Sequence, residues 1–228
     1  MMHWLLFRIR QVNHDSFDLN CPLCQSAEGT PFFKDQRDYF RCPHCSLVFV
    51  PPQQFVTLEE EKAVYDLHEN SADDPGYRHF LERLFKPLSQ HLQANSHGLD
   101  FGSGPGPTLS LMFEEEGHSM VNYDYFYAPE IDYIKQHFDF ISTTEVVEHL
   151  HQPRLELDRL WSCLKPNGLL GIMTKRVLNQ AAFSHWHYKS DPTHICFFSL
   201  ETFQWLADYW NATLTIHGKD VVIFTKTG

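Results

Sequence analysis

The chain has 228 residues, 43% of them hydrophobic, enough for one full α/β domain with a small appendage and too many for wholesale disorder. Eighteen Lys and Arg against 29 Asp and Glu give a formal charge of −11, so general nucleic-acid binding, which needs a basic surface, is disfavoured. No apolar run approaches the roughly 20 residues needed to cross a bilayer.

The start, MMHWLLFRIR, has a four-residue apolar core, Trp4 to Phe7, and no small-residue cleavage site. It reads as a short strand or loosely held terminus rather than a signal peptide, and the expected location is the cytoplasm. From Asn20 to Val50 the chain reads as a ribbon. CPLC and CPHC are knuckle turns, DYFRC and SLVFV are strands beside the second, and Pro51 and Pro52 stop the ladder. Residues 53–75 are polar and charged and read as a linker, with LEEEKAVYDLHEN helical. From Tyr77, apolar residues at Phe80, Leu81, Leu84, Phe85, Leu88 and Leu92 make one helical stripe. A strand is expected near His97 to Phe101, then a glycine loop, then a helix over PTLSLMFEEEG ended by Gly117. SMVNYD and FDFIST are further strands. QPRLELDRLWSCLKPNG is an amphipathic helix closed by a Pro-Asn-Gly turn, and LLGIMT is another strand. SLETFQWLADYW is helical with Ser199 as N-cap, and ATLTIHGKDVVIFTK is two strands around a Gly-Lys-Asp turn. Strands alternating with helices predict an α/β fold with a doubly wound, mostly parallel sheet, and the final hairpin predicts one antiparallel edge strand.

Four of the six cysteines form two C-x-x-C pairs, Cys21 with Cys24 and Cys42 with Cys45, separated by residues 25–41. That spacing falls within the roughly 15–20 residues usual for a zinc ribbon. Four thiolates close a tetrahedral shell and leave no open position, so the predicted site is structural. Iron in the same cage is the main rival, and His44 is a spare donor inside the second knuckle. Cys163 and Cys196 stand alone in apolar surroundings and read as buried small hydrophobes.

The loop GLDFGSGPGPTLS carries D-x-G-x-G-x-G. A nicotinamide or flavin fingerprint would need glycine at position 107, which is Pro107, and no Gly-Lys-Ser/Thr of a phosphate-binding loop follows. Asp100, two residues before the first glycine, would welcome a cationic amino group and repel a phosphate. LDFGSGPG, with Asp124 ending the next strand, then FDFISTTEVVEHL and LKPNGLLGIMT, resembles in this order the class I, Rossmann-like S-adenosylmethionine-dependent methyltransferases. The fourth-strand segment is similar to that of the ubiquinone-type O-methyltransferases. The resemblance covers Tyr77 to Lys226 and divides the chain into an N-terminal segment with zinc ribbon (1–55), a linker or helical cap (56–76) and a cofactor-binding methyltransferase domain (77–228). It implies that Gly102, Gly104 and Gly106 let the backbone approach the methionine and ribose parts of S-adenosylmethionine. Asp100 lies near its amino group, Asp124 holds the ribose hydroxyls, and Thr144 and Glu145 line the methionine moiety. Strand-end capping is the ordinary alternative for both aspartates, and a helix N-terminal turn of acids is that for Glu145 and Glu148. One departure stands out: residues 125–138 are too few for the family's usual helix and third strand, so that unit is reduced.

Acceptor residues of such enzymes commonly follow the fifth strand, here AAFSHWHYKSDPTHICFF, with His185, His187, His194 and Asp191 among aromatic residues. His194 or His149 is the candidate base, with Asp191 beside it. The loop after the fourth strand, Thr143-Thr144-Glu145-Val146, lacks the Asn-Pro-Pro of enzymes that methylate exocyclic base amines, and no cysteine there supports a covalent C5 route. The favoured reading is a methyltransferase for a small-molecule acceptor at oxygen, nitrogen or carbon. Two rivals are an RNA- or protein-modifying methyltransferase that recognises its target through the ribbon, and a cofactor-binding regulator without turnover. Lys34, Arg37 and Arg41 in the ribbon are balanced by Glu28, Asp35 and Asp38, against the RNA reading.

Overall fold

The computed structural model describes residues 19–27, 29–67 and 71–228; the readings for residues 1–18, for Glu28 and for the end of LEEEKAVYDLHEN lie outside them. Two sheets organise the described residues. The smaller is built from β1 (Thr30–Lys34), β2 (Asp38–Arg41) and β3 (Val48–Phe49), all antiparallel, and is completed by β8 (Cys196–Phe197), which pairs with β3. The strand β8 comes from the segment after the fourth strand of the main sheet, so the ribbon is stitched to the rest of the molecule by backbone hydrogen bonds. Val48, Phe49, Cys196 and Phe197 are all nearly fully buried, which is why two such short strands hold together.

The larger sheet has β4 (His97–Phe101), β5 (Ser119–Tyr123), β6 (Phe138–Thr144), β7 (Leu164–Met173), β9 (Thr213–His217) and β10 (Val221–Thr225), in the spatial order β5-β4-β6-β7-β10-β9. The first four are parallel, and β10 is antiparallel to both its neighbours. The antiparallel strand therefore lies inside the sheet, and β9 is the edge, which corrects the expected antiparallel edge strand. The burial explains it: Val221 to Phe224 is a continuous apolar run buried on both faces, whereas β9 is largely exposed. Between Asp124 and β6 there is one short 3-10 turn, Tyr133–Lys135, and no strand or α-helix.

Helix α1 (Leu58–Tyr65) begins at a capping box in which Thr57 and Glu60 satisfy each other's backbone N–H groups. Helix α2 (Pro75–Ser89) starts at Asp74, whose side chain accepts from Gly76 N, and buries Leu81, Leu84 and Leu88. Together with α3 (Thr108–Glu115) it packs on one face of the sheet against Phe140, Met173 and Ile223. The other face is covered by α4 (Pro153–Cys163) and α6 (Leu200–Trp210), in a core continuous with that of the ribbon. Ser199 caps α6 as expected. The helix α4 stops at Cys163, and Leu164 already belongs to β7, so the Lys-Pro-Asn-Gly segment is the irregular start of a strand with Asn167 at φ 63° rather than a free turn. A short helix α5 (Gln180–Ser184) and a 3-10 turn (His187–Ser190) break up the segment between β7 and β8.

Candidate active site and four-cysteine cluster

The glycine loop joins β4 to α3. Gly102 and Gly104 have φ of +80° and +63°, a region that glycine enters without steric cost. At Gly102 a side chain is excluded twice over, because a Cβ there would meet Val146 Cγ2 at 2.3 Å. The loop is held from below by Tyr123, whose carbonyl accepts from Gly102 N at 2.8 Å and Ser103 N at 3.1 Å. Asp124 holds it from the side. Its Oδ2 accepts from Gly104 N at 2.9 Å, and its Oδ1 accepts from Phe126 N at 2.9 Å and Tyr127 N at 3.1 Å. The carboxylate thus fixes two turns at once, the glycine loop and the tight turn that replaces the missing third strand.

Asp100 is 4% exposed at the floor of the loop. Its Oδ1 accepts from Ser142 Oγ at 2.9 Å, yet burial pushes its pKa up to about 6, and among the described residues no cation pairs with it to favour the charged form.

Asp100, Gly102, Gly104, Gly106, Asp124, Thr144 and Glu145 all line one cavity of about 1070 Å³. That exceeds the ~300–1,000 Å³ typical of a pocket for one drug-sized ligand and leaves room for two reactants. His149, Asp191 and His194 line the same cavity. The rest of the His185–Phe198 segment does other things: His185 and His187 are exposed, Phe197 and Phe198 are buried packing, and buried Tyr188 joins a polar cluster behind the cavity. Sequence reasoning missed the contribution of α1. Leu58, Glu61 and Tyr65 form a wall of the cavity, with Tyr65 OH donating to Glu61 Oε1 at 2.7 Å and Glu61 Oε2 lying 3.4 Å from His151 Nε2. The Tyr65 ring packs edge-on against His149, and Tyr127 OH donates to Asp66 at the end of the helix. The helical pattern of α1 was legible, but nothing in it said which face would meet the loop after β6.

Behind the wall lies a buried polar cluster. Glu148 is fully buried; it accepts from Thr174 Oγ1 at 3.0 Å and from Tyr188 OH, and Tyr188 OH also reaches Glu145 Oε2 at 3.1 Å. Burial, and then the neighbouring Glu145 charge, push the Glu148 carboxyl up to about 8. Glu145 has φ +53°, and its Oε1 is buried with no hydrogen-bond partner among the described residues, a strained and unsatisfied pairing of the kind that collects at functional sites. Both histidines are oriented through Nδ1, which donates to a backbone carbonyl: His149 to Thr193 at 3.2 Å and His194 to Tyr188 at 2.6 Å. The two rings sit 4.6 Å apart. Burial holds the His194 pKa below the usual imidazole range, although Asp191 Oδ2 is 3.8 Å from its Nε2. Asp191 is also desolvated, but hydrogen bonds from Thr193 Oγ1 at 2.6 Å and Thr193 N at 2.9 Å keep its pKa below the usual carboxylate range.

The sulfurs of Cys21, Cys24, Cys42 and Cys45 all lie within 4.8 Å of one another, with Cys21 to Cys45 at 3.5 Å and Cys24 to Cys42 at 3.4 Å. A tetrahedral ion with bonds of ~2.3 Å would separate its thiolates by about 3.8 Å, so the cluster fits one zinc with little movement. The other two cysteines, Cys163 and Cys196, are buried singly.

The loop from strand to helix, the acid on the second strand and the sheet order with an inserted antiparallel strand define a class I S-adenosylmethionine-dependent methyltransferase. A sequence profile described as a methyltransferase domain matches residues 73–215, and the chain belongs to that family. No curated protein matches it. Among solved structures it is similar to the 1,6-didemethyltoxoflavin-N1-methyltransferase of Burkholderia thailandensis, bound to 1,6-didemethyltoxoflavin and S-adenosylhomocysteine. That similarity has a TM-score of 0.52 and 17% identity over 87% of this chain and 99% of the other. Matches to a methyltransferase of Archaeoglobus fulgidus (TM-score 0.49, 17% identity, 67% of this chain and 100% of the other) and to a possible histamine N-methyltransferase of Thermotoga maritima (0.47, 14%, 75% and 96%) are weaker. At these identities the likeness is one of fold. Among the described residues no helix is long and apolar enough to cross a membrane.

Proposed function

We propose that the protein transfers a methyl group from S-adenosylmethionine to a small molecule held against His149, His194 and Asp191. The observation that carries this reading is one cavity lined at once by the glycine loop, by Asp100 and Asp124, and by that imidazole–carboxylate wall. Gly102, Gly104 and Gly106 bring the backbone close to the cosubstrate. Asp100, buried with no paired cation among the described residues, supplies a counter-charge for its ammonium group, and Asp124 presents its carboxylate to the ribose while bracing the loop. Thr144 and Glu145 line the methionine end. In the transfer, a lone pair of the acceptor forms a bond to the methyl carbon as the carbon–sulfur bond breaks, its electron pair returning to sulfur. The acceptor's proton passes to the His149–His194–Asp191 wall. Most of the acceleration comes from holding the two reactants in line.

Cys21, Cys24, Cys42 and Cys45 hold a structural zinc that folds the ribbon, a module with too little core of its own. The ribbon's cations support a scaffolding role over RNA binding. Lys34 is paired with Asp38, Arg41 Nη2 donates to Ser46 Oγ, and Arg37 is committed to backbone carbonyls of residues 189–194.

Calorimetric titration with S-adenosylhomocysteine tests the reading. Saturable binding with no response to NAD is expected, and NAD binding without a response to S-adenosylhomocysteine would overturn it.

A further inference from the structure

At the acceptor end of the cavity, carboxylates stand without matching cations. Among the described residues, Arg159 is the one Lys or Arg of the lining, and it is bound to Glu156 at 2.7 Å. Asp100 and Asp124 belong to the cosubstrate half of the cavity, but Glu61 and Asp191 do not. Glu61, on α1, is 6% exposed, and its ion-pair partner among the described residues is His151, with Nε2 3.4 Å from Oε2. Asp191 has His194 Nε2 at 3.8 Å, on an imidazole whose burial opposes charging. No Lys or Arg forms an ion pair with either carboxylate among the described residues. Carboxylates withdrawn from water are ordinarily paired with a cation.

Two further features point to what pairs with them. The first is position. Both carboxylates act on one phenol: burial, then the hydrogen bond and charge of Glu61, then the charge of Asp191 push the Tyr65 pKa up. Glu61 and Asp191 therefore share the wall of the cavity around the Tyr65 hydroxyl. The second is aromatic surface. The ring centroids of Tyr65 and Phe126 are 5.6 Å apart and those of Phe126 and Tyr125 are 5.0 Å apart, and all three residues line the cavity. Ring faces beside carboxylates attract an ammonium group and offer nothing to an anion.

We infer that the methyl acceptor is a primary or secondary amine, bound as its ammonium ion between Glu61 and Asp191 against the rings of Tyr65 and Phe126. The inference rests on the proposed methyltransferase reading and narrows its acceptor atom to nitrogen. An ammonium nitrogen has no lone pair and must lose a proton before it attacks. His194 is placed to take it. Its Nδ1–H is spent on the carbonyl of Tyr188, so Nε2 carries the free lone pair, and Asp191 stands beside it to stabilise the imidazolium. The positive sulfonium of the cosubstrate opposes the ammonium charge and favours the loss. The N–H bond breaks to His194 Nε2, the freed nitrogen pair bonds to the methyl carbon, and the carbon–sulfur pair returns to sulfur. The product is again an ammonium ion, now methylated, and the imidazolium returns its proton to water.

The test is calorimetric titration of the full chain, saturated with S-adenosylhomocysteine at neutral pH, with two matched sets of probes. One set is benzylamine, benzyl alcohol and benzoate; the other is butylamine, butanol and butyrate. In at least one set the amine should bind about tenfold or more tighter than its alcohol, the carboxylate should not bind, and Glu61→Gln should remove about tenfold or more of the amine affinity. S-adenosylhomocysteine affinity, measured on the same samples, reports the fold and the cosubstrate half, and it should be alike in wild type and Glu61→Gln. The amine site would be overturned alone, with S-adenosylhomocysteine still bound, by either of two results. One is that no amine binds more tightly than its alcohol and carboxylate counterparts. The other is an amine preference that survives both Glu61→Gln and Asp191→Asn. Absence of S-adenosylhomocysteine binding by the wild type would instead overturn the methyltransferase reading on which the inference stands.

Discussion

Arg37 Nη2, on the turn between the first two ribbon strands, donates to the main-chain carbonyl of Asp191 at 3.0 Å across 154 positions of sequence. The same guanidinium donates to the carbonyls of Lys189, Pro192 and His194. One ribbon side chain therefore ties down the backbone that presents Asp191 and His194 to the cavity. Arg37→Ala should cost about 1.5–3 kcal/mol, the scale for hydrogen bonds to a charged group, and should raise the acceptor KM more than it weakens S-adenosylhomocysteine binding. Thermal denaturation and a comparison of the two ligands check it; equal weakening of both would show that Arg37 acts on the whole fold.

This relationship was not legible in the sequence. The C-x-x-C pairs, the glycine loop and the helical stripe of Phe80 to Leu92 are local patterns, and each appears in the structure where its spacing put it. The reduced unit after Asp124 was legible from length alone. The pairing of β3 with β8 was hidden, because a two-residue strand has no period to detect and its partner lies about 150 residues away. The wall supplied by α1 was hidden for a related reason. A helix with three acids in its first turn advertises a solvated face, and the burial of Glu61 depends on Tyr65 and His151, which only the tertiary fold brings to it.

Asp124→Ala removes both the proposed ribose contact and the brace on Gly104, so it should weaken S-adenosylhomocysteine binding by about 1.5–3 kcal/mol. Because Oδ1 also satisfies Phe126 N and Tyr127 N, stability should fall too. Calorimetry decides the matter. An unchanged affinity would mean that the ribose is held elsewhere.

Asp100 couples stability to pH in a defined direction. Its folded pKa, about 6, lies above its ordinary 3.8, so the folded protein holds the proton more tightly than the unfolded chain. Stability conferred by that proton is fully present below pH 3.8 and is lost as pH rises through about 6, an effect of up to about 3 kcal/mol. Asp100→Asn should therefore stabilise the ligand-free protein at pH 7 by about 1–3 kcal/mol while weakening S-adenosylhomocysteine binding. Denaturant unfolding at pH 4.5 and pH 7 checks the first half; a variant less stable than wild type at pH 7 would contradict it.

Gly102→Ala meets two separate obstacles, a φ of +80° and Val146 Cγ2 at 2.3 Å. The backbone part costs about 1–2 kcal/mol and the clash a further ~1–3 kcal/mol. Only the clash depends on Val146. In a double-mutant cycle with Val146→Ala, the pair should therefore show a favourable coupling of about 1 kcal/mol or more. Purely additive losses would mean that the φ requirement alone excludes a side chain.

Metal analysis of protein purified without added metal should give about one zinc per chain in the four-cysteine cluster, and Cys42→Ser should lose it. Iron in its place would leave the structural role unchanged and correct only the ion; two disulfides found by thiol titration in denaturant, with no metal, would refute the site. The consequence of losing the ion follows from the sheet that the ribbon shares with β8. Without zinc the knuckles open, β3 loses its support, and the Cys196–Phe197 strand and the Arg37-bound loop beside it lose theirs. The glycine loop and Asp124 are attached instead to β4 and β5, against the core made by α2 and α3 on the opposite face of the sheet. Cys42→Ser should therefore keep S-adenosylhomocysteine affinity within a few-fold of wild type while abolishing methyl transfer, with early proteolytic cleavage near residues 185–194. Loss of S-adenosylhomocysteine binding in step with the zinc would mean that ribbon and sheet unfold as one cooperative unit.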